Sequence, residues 1–171
     1  MLRRKVRALP PHGPLVSEKI GRVLNNRDLV ALGKSKEATA NRVVPPGSHA
    51  SCMVCGNNSL FGLRFIAEKD SVIAFVQADP QWQGYSGVLH GGIVSTLLDA
   101  AMTHCLFHHG IEAMTASLKV RFLEPAPCVG ELQIRATLEN QRRHVYLLDA
   151  ELFSSGRCLA RAEARFIRTR R

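Results

Sequence analysis

The residue whose position most suggests chemistry in this 171-residue chain is an aspartate inside an apolar stretch. The apolar residues of Gly91–His108 recur at helical spacing, and Asp99 is the only ionised group among them. A carboxylate more than two turns into a helix has low helix propensity and gains nothing from the helix dipole. Two interpretations follow. The polar stripe that Asp99 forms with Ser95, Thr96 and Thr103 either faces water or faces a pocket.

The start of this predicted helix can hold a negative charge. Gly91 and Gly92 leave backbone N–H groups open to a ligand, and a helix N-terminus stabilises a phosphate or the oxyanion of a reacting carbonyl. Gly91 lies about 12 Å before Asp99 along an α-helix, so an acyl group could extend from one toward the other. A neighbouring chain would close the remaining gap, which favours a site shared between subunits. His90 either orients the carbonyl or closes the turn.

Strands with one apolar face are expected to form the sheet that holds this helix. From Met114 to Phe122 apolar and polar residues alternate, which predicts a buried apolar face and puts Thr115 and Ser117 on the polar face. Five further strands are predicted at Leu63 to Ala67, Val72 to Ala78, Glu131 to Glu139, Arg143 to Phe153 and Arg157 to Phe166, with hairpin loops at 69–70, 140–142 and 154–156. One long helix packed on an antiparallel sheet of about six strands is an α+β architecture.

Positive charge is concentrated in the first fifty residues. They contain ten of the 23 Lys and Arg residues and three of the 14 Asp and Glu residues, and prolines flank one predicted helix, Val16 to Ala38. We expect a basic N-terminal extension over residues 1–50 and a single domain over residues 51–171. The extension is interpreted as a solvated or interface segment rather than a nucleic-acid contact, because no aromatic residues are interleaved with its basic residues.

The sequence also bears on location. No run of about 18 uncharged apolar residues predicts a membrane span, and no apolar stretch follows the N-terminus that could act as a secretory signal. We expect a cytoplasmic protein. Organellar targeting is the alternative, because the first seventeen residues are basic and contain no acidic residue.

The cysteine pattern indicates reduced thiols. Five cysteines is an odd number, and three of them fall within patterned segments. Cys52 and Cys55 have half the spacing of a zinc ribbon, with His49 nearby, but no second pair of ligands follows elsewhere. The sequence therefore predicts no metal site here, and a tight turn that ends at Gly56.

Two segments resemble those of a known family. Residues 84–99 (GYSGVLHGGIVSTLLD) and 115–125 (TASLKVRFLEP) closely resemble the hotdog-fold acyl-CoA thioesterases of the phenylacetate-degradation (PaaI) type and of the mammalian thioesterase-superfamily kind. The resemblance covers about residues 50–168 and includes the segment Cys52-x-x-Cys55-Gly. It implies a hotdog fold, a homodimer or dimer of dimers with a shared active site, and hydrolysis of an acyl-CoA thioester.

The resemblance also implies roles for single residues. The oxyanion hole falls on the N–H of Gly91, with Gly92 allowing close approach of the substrate. Asp99 becomes the general base or the nucleophile. The hydroxyl that positions water comes from Thr115 or Ser117, which share the polar face of one predicted strand.

Further substrate contacts are predicted outside these motifs. Trp82 and Tyr85, just before the glycine turn, could form a wall of the acyl pocket. Arg142 and Arg143 cluster at a hairpin, where they could contact the phosphates of CoA. CoA is then part of the substrate, and no separate cofactor is expected. Two rival functions are a non-catalytic acyl-CoA sensor whose basic arm contacts nucleic acid, and a hydratase or dehydratase that acts on enoyl thioesters.

Overall fold

A computed structural model describes residues 41–168, and in this part of the chain one α-helix and six strands form the α+β architecture that the sequence predicts. The elements are β1 (Phe65–Glu68), β2 (Ser71–Gln77), α1 (Gly91–His108), β3 (Met114–Phe122), β4 (Glu131–Arg142), β5 (Val145–Ser154) and β6 (Arg157–Ile167). The apolar periodicity predicted the bounds of α1 correctly. Gly110 follows the helix with a φ of +69°, a conformation that favours glycine and stops the helix.

The six strands form one antiparallel sheet in the order β1-β2-β4-β5-β6-β3. The helix α1 packs against every strand of this sheet. Completely buried side chains on α1 include Leu97, Leu98, Ala101, Met102 and Cys105. Burial of this apolar surface holds the helix on the sheet, and it thereby fixes the position of every polar residue that α1 carries.

The hairpin between β4 and β5 is tighter than the sequence predicts. β4 continues through Arg142, because its last three residues pair with Val145–Leu147. The predicted loop at Asn140–Arg142 is therefore wrong, and the turn consists of Arg143 and His144. Arg143 has a φ of +53°, since a two-residue turn that follows the strand twist requires positive φ.

The strand β3 lies at an edge of the sheet and pairs only with β6 among the described strands. Met114 and Phe122 are 67% and 54% exposed, and Leu118 and Val120 are half-buried. The prediction that this apolar face is buried is wrong for the single chain, because α1 covers the edge strand only in part. An exposed apolar edge strand is a surface that another chain can cover.

Residues 41–50, part of the predicted extension, lie against the sheet. Val43 is buried, and its N–H donates a hydrogen bond to the carbonyl of Phe65 at 2.9 Å. The predicted helix at Val16–Ala38 lies outside the described residues, and the domain boundary after residue 50 stays a prediction. Within the described part of the chain, no helix has the length and apolar character needed to cross a membrane.

Candidate active site

His90 closes the turn at the start of α1. It occupies the N-cap position, and its Nδ1 accepts a hydrogen bond from the N–H of Gly92 at 3.0 Å. A Cβ atom at Gly92 would lie 2.9 Å from that nitrogen, so glycine at this position lets the imidazole reach the backbone. The geometry favours turn closure over contact with a substrate carbonyl. The N–H of Gly91 donates no hydrogen bond within the described residues.

A cavity of about 510 Å³ lies beside the middle of α1. Asp99 lines it together with Ser95, Thr96 and Thr103, so the polar stripe faces a pocket rather than open water. The rest of the lining is formed by the segment before β1, by α1 and by β3: His49, Cys52, Met53, Val54, Ala100, His104, Thr115 and Leu118. Its volume lies in the range of sites for small molecules.

A bulge in β3 brings one hydroxyl to the carboxylate. Thr115 Oγ1 donates a hydrogen bond to Asp99 Oδ1 at 2.8 Å. The register against β6 shifts between Thr115 and Ser117, which leaves Ala116 as the extra residue. A bulge changes the face to which neighbouring side chains point, and here Thr115 lines the cavity with Leu118. Ser117 is exposed and does not line the cavity, so the structure separates two hydroxyls that the sequence leaves equivalent.

The two aromatic residues before α1 lie away from this cavity. The rings of Trp82 and Phe61 pack together with their centroids 4.7 Å apart. The backbone carbonyl of Trp82 accepts a hydrogen bond from the N–H of His90 at 2.8 Å. Tyr85 is 86% exposed. Neither residue lines the cavity beside Asp99, so their contact with a substrate stays a prediction.

Gly91 and the two arginines also lie outside the lining of the cavity. Gly91 begins α1, about 12 Å along the helix from Asp99. Arg142 and Arg143 are exposed at the end of β4 and in the turn that follows, and their contact with CoA stays a prediction. One chain therefore brings together Asp99 and Thr115, but it does not bring the predicted oxyanion donor to them.

The tight turn that the sequence predicts at Gly56 is confirmed. Gly56 N–H donates to the carbonyl of Cys52 at 2.8 Å, and Val54 N–H donates to Cys52 Sγ at 3.4 Å. Cys55 Sγ lies 3.7 Å from His49 Nδ1. Burial raises the pKa of Cys55 to about 12. Burial also acts to raise the pKa of Cys52, but hydrogen bonds from the backbone and from the Cys55 thiol outweigh it, and the net pKa is lowered.

The sequence analysis missed His104 as a residue of the cavity. His104 is 3% exposed, and its Nδ1 lies 2.8 Å from the carbonyl of Ala100. Burial lowers its pKa to about 4, so the imidazole is neutral at pH 7. Its place five residues after Asp99, at the edge of the polar stripe, is the signal that would have found it.

Comparisons of sequence find matches to part of the chain. The sequence model of the family described as Thioesterase superfamily matches residues 86–160. The acyl-coenzyme A thioesterase THEM4 of Bos taurus is 38% identical over 72 residues, which are 42% of this chain and 29% of that protein. The match therefore spans less than a third of the length of such curated relatives.

Comparisons of structure find the same fold in solved proteins. A phenylacetic acid degradation-related protein of Ralstonia eutropha JMP134 has a TM-score of 0.59 and 25% identity, over 72% of this chain and 92% of that chain. A hypothetical thioesterase of Streptococcus pneumoniae TIGR4, solved with coenzyme A, has a TM-score of 0.57 and 20% identity, over 60% and 83% of the two chains. One helix against six antiparallel strands is the hotdog fold of these thioesterases. Residues 86–160 thus match the sequence model of the thioesterase superfamily, and the described residues share the hotdog fold of solved thioesterases.

Proposed function

We propose that this protein hydrolyses the thioester bond of acyl-CoA substrates. The observation that carries the proposal is the Asp99 carboxylate on the wall of the cavity, with the Thr115 hydroxyl 2.8 Å from its Oδ1. A carboxylate held beside a pocket of this size is suited to act as a base or as a nucleophile. The identity with an acyl-coenzyme A thioesterase of Bos taurus supports acyl-CoA as the substrate.

In the proposed reaction Thr115 orients the carboxylate. Its hydrogen bond occupies Oδ1 of Asp99 and leaves Oδ2 to react. As a general base, the carboxylate takes a proton from water while the water oxygen attacks the thioester carbon. As a nucleophile, it forms a mixed anhydride that water then hydrolyses. In both routes the C–S bond breaks, the sulfur takes up a proton, and the products are a carboxylic acid and CoA.

The negative charge that develops on the carbonyl oxygen requires a donor, and we assign this role to the N–H of Gly91. That N–H has no partner within residues 41–168, whereas the N–H of Gly92 is bound to His90. Because Gly91 of the same chain begins α1 about 12 Å from Asp99, the donor in this proposal is Gly91 of the partner subunit. The exposed apolar side chains of β3 support association of two chains.

The proposed hydrolysis needs no cofactor, because CoA arrives as part of the substrate. The Streptococcus pneumoniae structure shows that a protein of this fold can hold coenzyme A. The cytoplasm remains the proposed location, with an organelle as the alternative.

The direct test is to replace the carboxylate. Asp99→Asn keeps the shape of the side chain and removes the base, so we expect kcat to fall by about 10²- to 10⁴-fold with the fold retained. Release of free thiol from short, long and aromatic acyl-CoAs measures this, for the wild type beside the variant. Asp70→Asn, the same substitution on the turn between β1 and β2, is the matched control and should keep wild-type activity.

Other results would contradict the proposal. Equal thiol release by Asp99→Asn and Asp70→Asn would remove Asp99 from the reaction. If the wild type releases no thiol but acyl-CoA raises its melting temperature, the protein binds acyl-CoA without hydrolysing it. If it adds water to an enoyl-CoA and leaves the thioester intact, it is a hydratase.

A further inference from the structure

Three metal-binding side chains meet at the edge of the cavity. The donor atoms of His49, Cys52 and Cys55 all lie within 4.8 Å of one another, and Cys55 Sγ is 3.7 Å from His49 Nδ1. In a tetrahedral zinc site, with Zn–S near 2.3 Å and Zn–N near 2.0–2.1 Å, a nitrogen and a sulfur ligand are about 3.6 Å apart. The pair His49–Cys55 already has this spacing, and shifts of at most about 1 Å would bring the other pairs to it.

The backbone of residues 52–56 holds the sulfur atoms in place before any ion binds. Gly56 N–H donates to the carbonyl of Cys52, and a Cβ atom at Gly56 would lie 2.6 Å from that oxygen, so the turn requires glycine. The N–H of Val54 donates to Cys52 Sγ. This hydrogen bond fixes the position of the Cys52 sulfur relative to the backbone of the turn.

The third donor is also held by its neighbours. The ring of His49 packs edge-on against Phe107, with centroids 4.7 Å apart, and lies 6.4 Å from the ring of His104. A side chain ordered by packing loses little conformational entropy when it binds an ion. Cys55 is buried, while His49 and Cys52 line the cavity, so one side of the cluster is shielded and the other is open to solvent in the cavity.

We propose that His49, Cys52 and Cys55 bind one Zn²⁺ ion, with the fourth position taken by water from the cavity. Thiolate and imidazole ligands favour Zn²⁺ over Mg²⁺ or Ca²⁺. Binding displaces one proton from each thiol, so each ion that enters releases two protons. The ion links three residues within the segment before β1, and the site does not depend on the proposed hydrolysis.

Metal titration of the full chain tests this site. The protein is stripped with a chelator under reducing conditions and titrated with Zn²⁺ and with Co²⁺. We expect one equivalent per chain, release of two protons per Zn²⁺, and the intense near-ultraviolet charge-transfer absorption of Co²⁺ bound to thiolates. Cys52→Ser should weaken Zn²⁺ binding by more than about 10-fold. Cys158→Ser on β6, which removes a thiol outside the cluster, should bind as the wild type does.

Three results would overturn the proposal. The first is a wild-type protein that shows no thiolate absorption with Co²⁺ and holds no Zn²⁺. The second is equal Zn²⁺ affinity in Cys52→Ser and Cys158→Ser. The third is a disulfide between Cys52 and Cys55 that persists under the reducing conditions of the titration. Circular dichroism checks the fold of each variant, and the wild-type Co²⁺ spectrum decides the matter even where a variant does not fold.

Discussion

At the scale of single residues, the hydrogen-bond partner of a side chain determines whether that side chain can take part in a reaction. Among the described residues, Asp99 takes part in no ion pair, and its contact is the neutral hydroxyl of Thr115. A neutral donor holds a carboxylate in place without neutralising its charge. His90, by contrast, is engaged with the backbone of Gly92, which makes it a part of the turn. Asp99 and Thr115 are therefore the pair on which the proposed chemistry depends.

Removal of the Thr115 hydroxyl should slow the reaction. Thr115→Val keeps the size of the side chain and removes a hydrogen bond to a charged group, a change of about 1.5–3 kcal/mol, or roughly 10- to 100-fold in kcat. Steady-state thiol release measures the effect. Ser117→Ala, two residues along the same strand, should leave kcat unchanged. A larger loss in Ser117→Ala than in Thr115→Val would mean that the bulge does not place Thr115 as described.

At the scale of elements, the pairing of strands brings acidic residues together on one surface of the sheet. Asp149 on β5 lies directly opposite Glu163 on β6. Asp149 is solvent-exposed in the single chain, but its pKa is raised from 3.8 to about 6. The larger cause is partial desolvation of its carboxyl group, and the smaller cause is the negative charge of three glutamates. The glutamates are Glu139, Glu163 and Glu151. Like charges on adjacent strands destabilise a sheet, so this cluster is a weak point at neutral pH.

The raised pKa predicts how stability depends on pH. The folded chain holds the Asp149 proton more tightly than the unfolded chain, so the free energy of unfolding falls as the pH rises from about 4 to about 6. Asp149→Asn removes this dependence and should unfold at a higher denaturant concentration than the wild type at pH 7.5, with the gain smallest at pH 4. Denaturant unfolding at both pH values measures it. Asp70→Asn, which leaves the cluster intact, should show no such gain, and a wild-type pH slope that persists in Asp149→Asn would contradict the assignment.

At the scale of the whole molecule, the proposed site is incomplete in one chain. Asp99 and Thr115 line one cavity, while Gly91 lies at the other end of the helical stripe and outside that cavity. In a two-fold dimer each chain can give its carboxylate to one site and its helix N-terminus to the other. The shared site can be tested because the N–H of Gly91 can be removed with little change to the backbone.

The variant for this test is Gly91→Pro. Gly91 is the first residue of α1, where proline is favoured, and His90 has φ −61° and ψ 133°, the extended conformation that precedes proline. Gly91→Pro therefore removes the N–H and retains the helix. Gly91→Ala keeps the N–H and adds a Cβ atom 3.3 Å from Phe122 Cζ, so it controls for crowding. We expect kcat to fall by about 10²- to 10³-fold in Gly91→Pro and far less in Gly91→Ala.

Mixing two inactive variants then tests whether one active site takes residues from both subunits. A heterodimer of Asp99→Asn and Gly91→Pro chains has one intact site if the two residues come from different subunits. Random assembly makes half of the dimers heterodimers, so the unseparated mixture should recover about a quarter of wild-type activity and the purified heterodimer about a half. If both residues act within one subunit, the mixture should be as inactive as its components. Co-expression with two tags, purification of the heterodimer and a thiol-release assay distinguish the two outcomes.

Much of this protein follows from local patterns in its sequence. The bounds of α1 and the order of the elements along the chain follow from periodicity, because burial against one core requires apolar residues at spacings of 3.6 and 2. Asp99 stands out for the same reason, as a charge in an apolar helix. The turn that ends at Gly56 is also local, since its hydrogen bonds join residues a few positions apart.

Contacts between residues distant in sequence were decided only by the tertiary structure. A one-residue bulge at Ala116 places Thr115, and not Ser117, beside Asp99. The alternation of apolar and polar residues does not reveal where a strand contains an extra residue. The alternation of apolar and polar residues predicts that the apolar side chains of β3 are buried, but the edge position of this strand leaves some of them exposed. The approach of His49 to Cys55 depends on packing against Phe107 on α1, more than fifty residues away in sequence. Periodicity reports which face of an element is apolar, whereas the neighbour that meets that face is determined by how the sheet and helix pack together.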